Sequence, residues 1–188
     1  TYHNTQADAD ADANPINPAN AYLSTVATET IFVRVDNNNN NDCFATTSFD
    51  LFVDPIPVAT QPADILLCDT FNDGEEIFDL TQQDATILGG QTNVTLTYHT
   101  SQADADADTN AIATPAAFLS TVPTMTIYVR VDNNDNNSCY STTTFDIVID
   151  ASTTATQPAN PIIRLCDVGA DGQETFDLTQ FQAEILGT

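Results

Sequence analysis

Lysine and tryptophan are missing from this sequence, and three arginines stand against 27 acidic residues. The formal net charge of −24 at pH 7 repels nucleic-acid phosphates and anionic lipid surfaces, so neither is an expected partner. Apolar runs of the roughly 18 residues needed for a transmembrane helix are also missing, which argues against direct membrane insertion of this segment. Because Arg34, Arg130 and Arg164 supply all the basic side chains, few ion pairs can form.

The chain contains a long internal repeat. Thr1–His3 returns as Thr97–His99, and about 34 of the first 54 residues are identical to those 96 positions later. Phe78–Thr81 returns as Phe176–Thr179, 98 positions later. This period exceeds the roughly 20–50 residues of a solenoid unit and matches one β-sandwich domain of about 100 residues. Hydrophobic residues make up 41% of the chain, so a disordered acidic tail is excluded.

Stretches rich in proline and threonine mark the boundaries between repeats. The predicted organisation is the C-terminal part of one repeat at 1–54, a linker at 55–62, a complete Ig-like repeat at 63–150, a second linker at 151–161 and the N-terminal part of the next repeat at 162–188. Two explanations fit the partial repeats. Either they belong to a much longer chain, or the front half of one molecule completes the back half of another in a head-to-tail filament.

Alternation of apolar and polar residues predicts β-structure in the complete repeat. Thr126–Val131 and Thr144–Asp150 both alternate, and the Asn- and Asp-rich residues between them are typical of a turn, so we expect a hairpin. Arg130 is then expected near Asp146 on the solvent face. The predicted fold class is mostly β, with tandem Ig-like antiparallel β-sandwich repeats and one or two short helices per repeat.

Two short helices are predicted from their end signals. Asp79–Gly89 is expected to be helical, with Thr81 as the N-cap and Gly89 as the C-terminal stop. A second helix is expected to begin at Ser101, because Asp104 follows at the capping-box position.

The four cysteines fall two per repeat, and none belongs to a C-x-x-C pair. Their placement indicates a secreted protein with disulfides rather than a zinc site. The preferred prediction joins Cys68 to Cys139 within the complete repeat. Cys43 and Cys166 then pair with cysteines outside residues 1–188 or with a neighbouring molecule. The alternative joins Cys43 to Cys68 and Cys139 to Cys166 across successive repeats.

Two kinds of acidic segment could bind Ca²⁺. The loop after Cys68 has Asp at positions 1 and 5 followed by Gly, which keeps part of a calcium loop, and the same pattern follows Cys166. The candidate metal ligands are Asp69, Asp73, Asp79, Asp167, Asp171 and Asp177. A surface turn is the alternative for these loops. The alternating Ala-Asp runs at 7–12 and 103–108 lack the Gly and the final acid of a calcium loop, so solvated helical turns are the alternative there.

Nothing in the sequence indicates an enzyme. His3 and His99 are one position of the repeat seen twice, without a second histidine beside them, and a packing or capping role is expected. A phosphate loop and a zinc-protease motif are both missing. We therefore predict no catalytic residues.

The ordered motifs resemble a known family. Cys-Asp and Asp-Gly are followed by Phe-Asp-Leu-Thr, then by Val-Thr-Leu-Thr-Tyr-His at 94–99, Thr-Ile-Tyr-Val-Arg-Val at 126–131 and Thr-Thr-Thr-Phe-Asp at 142–146. This order resembles the repeats of very large surface proteins of Bacteroidota, especially the gliding-motility adhesins of flavobacteria. The resemblance implies an Ig-like fold, type IX secretion and a place at the cell surface. Phe71 and Gly169 depart from the calcium loop that is common in that family.

These observations predict a non-enzymatic, structural and adhesive segment of an extracellular fibre or stalk. Its expected partners are neighbouring repeats of the same protein and, in a fibre, identical chains. The alternative is a module that binds polysaccharide or another surface with the help of calcium.

Overall fold

The N-terminal segment, residues 1–54, contains one antiparallel sheet. A computed structural model describes residues 1–187, and the side chains of all of these except 40–42. Strand β1 (Tyr2–His3) pairs with β2 (Thr28–Asn37), which pairs with β3 (Asn40–Phe52). Helix α1 (Gln6–Ala11) and a 3-10 turn (Ala19–Ala21) connect β1 to β2. Thr188, the last residue of the predicted 162–188 segment, lies outside the described residues.

The central domain, residues 63–150, has a four-stranded sheet and a two-stranded sheet. Its strands are β4 (Ile65–Cys68), β5 (Glu76–Phe78), β6 (Val94–His99), β7 (Phe118–Ser120), β8 (Thr124–Asn133) and β9 (Asn136–Asp150). Its helices are α2 (Asp84–Leu88) and α3 (Gln102–Ala107), with 3-10 turns at Leu80–Gln83 and Pro115–Ala117. The larger sheet has the order β4-β9-β8-β6, and β5 pairs with β7. The protein is therefore mostly β, as predicted.

The C-terminal segment, residues 162–187, contains a 3-10 turn (Leu178–Phe181) followed by α4 (Gln182–Leu186). Across residues 1–187 no helix is both long and apolar enough to cross a membrane.

The predicted hairpin of the central domain is confirmed. β8 and β9 pair antiparallel, with Ile127 opposite Phe145 and Met125 opposite Ile147. Their inward side chains form the core together with residues from β4, β5, the 3-10 turn Leu80–Gln83, α2 and β6. The buried core residues are Ile65, Phe78, Leu80, Ile87, Tyr98, Ile127, Val129, Val131, Phe145, Ile147 and Ile149.

The N-terminal sheet repeats the register of the central sheet. β2 pairs with β3 so that Ile31 lies opposite Phe49, which is the Ile127 and Phe145 pair displaced by 96 positions. Both hairpins also have a register shift one step before the turn, after Asp36 and after Asp132. The sequence repeat is therefore also a repeat of strand pairing.

The opening strand differs from the antiparallel arrangement that the sequence predicted. β4 pairs with β9 in parallel, from Ile65 opposite Ile147 to Cys68 opposite Asp150. The linker explains this direction, because it reaches the central domain at the β8–β9 turn, where Pro55 and Asn133 are hydrogen-bonded. β4 and β9 therefore both run from that end of the domain to the other.

The first predicted helix begins differently from the prediction. Residues 80–83 form a 3-10 turn before α2, and the N-cap is Asp79 rather than Thr81. The Asp79 carboxylate accepts a hydrogen bond of 3.0 Å from the backbone N–H of Thr81. A carboxylate is the stronger acceptor, and Asp79 has the extended backbone that an N-cap requires. Gly89 ends α2 with a φ of 56°, as predicted.

The second predicted helix is confirmed. The hydroxyl of Ser101 accepts a 3.1 Å hydrogen bond from the N–H of Asp104 at the start of α3. Ala105 is fully buried against the sheet, whereas its neighbour Asp104 is half-buried and Asp106 is exposed. The Ala-Asp alternation therefore places a small residue at the contact between helix and sheet.

The sequence predicted Arg130 on the solvent face near Asp146, and this prediction is wrong. Asp146 instead accepts a hydrogen bond from Thr126. Arg130 is only 4% exposed, and its guanidinium lies 2.6 Å from the Asp132 carboxylate and 3.6 Å from the centre of the Tyr140 ring. The sequence pattern failed here because α3 covers the outer face of the sheet, which alternation alone treats as solvent.

The buried guanidinium also holds α3 in place. It donates hydrogen bonds to the carbonyl oxygens of Ala105 at 2.9 Å and Asp106 at 3.0 Å, near the C-terminal end of the helix. A cation at this end satisfies carbonyls that have no partner within the helix. In the N-terminal segment, Arg34 makes the corresponding bonds to Ala9 and Asp10.

We expect Arg130→Ala to destabilise the central domain by about 3 kcal/mol, because the buried Asp132 carboxylate loses its partner. Urea unfolding followed by circular dichroism measures this loss. The matched control is Arg164→Ala, because Arg164 is exposed and its removal is expected to change stability by less than about 0.5 kcal/mol. Equal effects of the two substitutions would contradict the role assigned to Arg130.

Candidate junction site

The junction between the N-terminal segment and the central domain is built by the β8–β9 turn. The side-chain amide of Asn133 donates to the carbonyl oxygen of Pro55 at 3.0 Å, and that of Asn136 donates to the Asp54 carboxylate at 3.1 Å. The thiol of Cys139 lies 3.7 Å from the carbonyl oxygen of Asp54. A cysteine of the central domain is therefore in contact with the end of the preceding segment.

The linker that follows is attached to the central domain. The side-chain amide of Gln91 both donates to the carbonyl of Val58 and accepts from its N–H, at 2.7 and 2.8 Å. The N–H of Thr60 donates to the carbonyl of Ile87 at 3.1 Å, and Ala59 packs against the core. These contacts give the 55–62 stretch a defined path and restrict rotation of the two parts against each other.

The opposite end of the central domain carries its other cysteine. Cys68 is the last residue of β4 and lies opposite Asp150, the last residue of β9. The N–H of Asp69 donates to the carbonyl of Asp150 at 2.7 Å. The Cys68 side chain is exposed, so its thiol is accessible at the end of the domain that leads into the second linker.

This strand register is incompatible with the predicted Cys68–Cys139 disulfide. Cys68 is level with Asp150, whereas Cys139 lies eleven residues earlier on β9. At roughly 3.3 Å per residue the two cysteines are about 36 Å apart, and a disulfide requires Cα atoms within about 7 Å. The prediction placed a disulfide between the first strand and a late one, but spacing along the chain carries no information on how those strands run or pair.

The two ends of the central domain correspond through the repeat. Asp54 is the counterpart of Asp150, 96 positions earlier. Cys139 touches Asp54, and Cys68 lies beside Asp150. We call Cys68 and its repeat counterparts β4-type cysteines, and Cys139 and its counterparts β9-type cysteines. The β4-type cysteine of one unit and the β9-type cysteine of the following unit would therefore meet at the aspartate that ends the first unit. In the structure, the thiols of Cys68, Cys139 and Cys166 belong to no disulfide.

The loop after β4 uses its candidate calcium ligands internally. The Asp69 carboxylate accepts from the N–H of Asp73 at 3.1 Å and from that of Gly74 at 2.9 Å. The Glu76 carboxylate accepts from the N–H of Thr70 at 2.6 Å. These bonds are those of an acidic turn, the alternative that the sequence left open.

The second loop has the same geometry. Asp167 accepts from the N–H groups of Asp171 and Gly172 at 3.1 and 2.9 Å, and Asp177 caps the following 3-10 turn, as Asp79 does in the central domain. Within the described residues, no three His, Cys, Asp or Glu side chains are grouped so that they could hold a metal ion. Calcium binding stays a prediction.

The Ala-Asp runs are short helices, in agreement with the solvated helical turn that the sequence offered as an alternative to calcium binding. Hydrogen bonds from Ser101 and then Asn110, to a carboxylate that is open to solvent, lower the pKa of Asp104. The acidic residue at this position therefore serves the helix start.

His99 is fully buried and both of its ring nitrogens have partners. Nδ1 lies 2.9 Å from the carbonyl oxygen of Thr109, so it carries a hydrogen and donates. Nε2 lies 2.9 Å from the hydroxyl of Thr97. His3 makes the equivalent contacts in the N-terminal segment. These bonds agree with the predicted packing role.

Sequence reasoning missed a buried polar contact. The Tyr98 hydroxyl lies beside the Asp84 carboxylate and 3.0 Å from the carbonyl oxygen of Leu80. Burial, and then the hydrogen bond to Asp84, raise the pKa of Tyr98. The identity of Tyr2 and Tyr98 in the repeat was a signal for this position, but it did not show what the hydroxyl contacts.

The fold and the junction define a mostly β protein whose cysteines lie at the ends of its repeated segments. The chain belongs to the family described as the Flavobacterium inter-domain disulphide bond domain, which matches residues 1–57 and 64–153. The comparisons with curated proteins and with solved structures found no significant match. A flavobacterial family agrees with the resemblance to Bacteroidota repeats.

We expect Asp69→Ala to destabilise the central domain by about 1–2 kcal/mol, because the N–H groups of Asp73 and Gly74 lose their acceptor. Thermal unfolding should show the same loss in EDTA and in millimolar calcium. Asp73→Ala is the matched control, because it removes a carboxylate of the same loop that accepts a single, exposed bond, from Glu75. If the loss in Asp69→Ala appears only with calcium, the loop is a metal site and the hydrogen-bond account is wrong.

Proposed function

We propose that this chain is a structural and adhesive segment of an extracellular fibre or stalk. Consecutive Ig-like units give reach and surface contact, and neighbouring units of the same protein are its main partners. The observation that carries the proposal is the junction, where the end of one segment and the β8–β9 turn of the next domain share hydrogen bonds and a cysteine contact.

We propose that disulfides link consecutive units at these junctions. The β4-type cysteine of one unit bonds to the β9-type cysteine of the next, because both lie at the aspartate that ends the first unit. Cys68 then bonds to the counterpart of Cys139 in a following unit, and Cys139 to the counterpart of Cys68 in a preceding one. The family description names an inter-domain disulphide, which supports this arrangement.

This connectivity differs from both pairings that the sequence offered. Two cysteines lie along the chain between the members of each pair, so no pair forms between two cysteines of residues 1–188 within one molecule. Because each unit is bonded to both neighbours, tension is carried across every junction by covalent bonds as well as by side-chain contacts.

Such disulfides form and persist outside the cell, which supports an extracellular place for the segment and agrees with export by type IX secretion. The net charge of −24 favours solubility and opposes unspecific bundling of fibres. The large excess of acidic side chains also leaves a surface that polyanions would avoid.

The connectivity can be tested in an extended chain in which residues 1–187 are followed by a second copy of residues 90–153. Gly187 corresponds to Gly89, so the added residues complete the last unit and supply a second copy of Cys139. After air oxidation, peptide mapping without reduction should show Cys68 bonded to this added cysteine. Cys68→Ser should abolish the bond, and Cys166→Ser should leave it intact. A peptide joining Cys68 to Cys43 or to the original Cys139 would refute the connectivity.

The extension role predicts a rod. Small-angle scattering should give a maximum dimension that grows in proportion to the number of units when the extended chain is compared with the 188-residue chain. Reduction of the disulfides should increase the flexibility of the extended chain. A compact particle of unchanged length would contradict the stalk. Specific, calcium-dependent retention on a glycan array would instead favour the alternative of a polysaccharide-binding module.

A further inference from the structure

The two linkers share a short sequence. Residues 59–63 read Ala-Thr-Gln-Pro-Ala and return unchanged as residues 155–159, 96 positions later. We call these five residues the linker motif. Four residues separate each copy from the aspartate that ends the preceding unit, Asp54 or Asp150, and none of the four is identical between the two linkers. The motif and its distance from the preceding unit therefore recur, although the residues between them do not.

Each copy of the linker motif binds the helix of the unit that follows it. The N–H of Thr60 donates to the carbonyl oxygen of Ile87 at 3.1 Å. The N–H of Thr156 donates to the carbonyl oxygen of Ile185 at 3.0 Å. These two isoleucines are the penultimate residues of α2 and α4. A carbonyl at this place has no partner within its own helix, so the linker supplies the missing donor.

The last residue of the linker motif is also held beside the same helix. The side-chain amide of Gln83, the residue before α2, donates to the carbonyl oxygen of Ala63 at 3.1 Å. In the second copy, the carboxylate of Glu184 in α4 accepts from the N–H of Ala159 at 3.1 Å. The motif is therefore attached to its helix at two points, which fixes its direction on the following unit.

The residues before the motif are fixed to the same domain in the first linker. The side-chain amide of Gln91 exchanges two hydrogen bonds with the backbone of Val58, and Asn133 donates to the carbonyl oxygen of Pro55. The path from Asp54 to the motif is thus set by contacts with the central domain. Its length is the same in both linkers, because four residues lie between the aspartate and the motif in each.

The two linkers differ in length only after the motif. A single residue, Asp64, separates the first copy from Ile65 at the start of β4. Residues 160–162 separate the second copy from Ile163, the counterpart of Ile65 at an offset of 98. The change of the repeat offset from 96 to 98 therefore falls between the motif and the strand that opens the next unit.

The additional residues form a turn of their own. The N–H of Ile162 donates to the carbonyl oxygen of Asn160 at 2.8 Å, across Pro161. A hydrogen bond between residues i and i+2 closes a γ-turn, and the fixed φ of proline is close to the value that an inverse γ-turn requires. The insertion is therefore taken up locally, without displacing the motif from its helix.

We propose that the linker motif is a docking element, and that its receptor is the C-terminal end of the helix in the following unit, α2 or α4. The inference rests on the unit structure of the proposed function and names the contact that orients consecutive units. Because the path up to the motif has a constant length, the units are related by the same rotation and the same rise at both junctions. Differences in linker length fall where they do not reach the preceding unit.

A constant junction is what the proposed disulfides require. The β4-type cysteine belongs to the unit before the junction and the β9-type cysteine to the unit after it. A disulfide forms only when the Cα atoms lie within about 7 Å of each other. Two residues inserted before the motif would change the separation of the units, whereas two residues inserted after it leave the cysteines of that junction in place.

Spin labels on the 188-residue chain test the proposal. The four native cysteines are replaced by serine, and labels are attached through Ser48→Cys in β3 and Thr124→Cys in β8, both at exposed positions. Pulsed electron paramagnetic resonance then gives the distribution of distances between the N-terminal sheet and the central domain. Asp64→Asn-Pro-Ile gives the first linker the insertion of the second. We expect the same mean distance and the same width as in the original chain, and a shifted or broader distribution would overturn the proposal.

The docking contact has its own matched pair of variants. Thr60→Pro removes the N–H that the carbonyl of Ile87 accepts, whereas Thr60→Ala keeps it. We expect a broader distance distribution for the proline variant and an unchanged one for the alanine variant. Circular dichroism checks that each variant is folded. If the proline variant does not fold, Gln91→Ala decides, because it removes both bonds to Val58 and should also broaden the distribution.

An unchanged distribution in a folded Thr60→Pro chain, or in Gln91→Ala, contradicts the docking role. The result is separable from the proposed function. If Asp64→Asn-Pro-Ile shifts the distance while the extended chain still forms its Cys68 bond, this inference is wrong and the proposed function stands. If the labels behave as expected while the Cys68 bond does not form, the docking role stands and the disulfide connectivity is wrong.

Discussion

The parallel pairing of β4 with β9 is the constraint on which the arrangement of this protein depends. It closes the core of the central domain. β4 joins the sheet beside β9, and the residues that follow β4 then pack against the inward side chains of β6, β8 and β9. It also determines where the cysteines lie. Since both strands run the same way, Cys68 is carried to the far end while Cys139 stays near the turn. The two cysteines that the sequence paired within one unit therefore lie at opposite ends of it.

A second constraint follows from the scarcity of cations. Arg34 and Arg130 are both buried, and each connects a short acidic helix to a sheet. Burial of a charge is unfavourable by itself, and a paired buried charge is weak evidence for stability. Its effect is on specificity. Each guanidinium lies over an aromatic ring, Phe44 or Tyr140, and donates to the carbonyl oxygens at the end of one helix, so the helix can lie on the sheet in only one position. In a chain with this excess of carboxylates, two of the three arginines hold local structure instead of neutralising the surface.

The parts of the fold that local patterns determine were predictable. Alternation identified the β8–β9 hairpin, the Ser101 cap identified α3, and Gly89 marked the end of α2, since each signal lies within a few residues of its effect. Two errors have a common cause. The exposed Arg130 and the Cys68–Cys139 bond each required knowledge of what packs against a residue, or of where a distant strand pairs. The contacts of Asn133, Asn136 and Gln91 at the junction were not predicted for the same reason. The Thr81 cap was a local error, because the Asp79 carboxylate two residues earlier is the stronger acceptor.

By itself, the sequence determined that a unit of about 100 residues recurs, that it is rich in β-strands, and that nucleic acids are poor partners, because identity, periodicity and charge are all written along the chain. Only the tertiary structure decided which cysteines can meet and that α3 buries Arg130. Both depend on contacts between residues far apart in sequence, and the pairing of β4 with the end of β9 places Cys68 about 36 Å from Cys139.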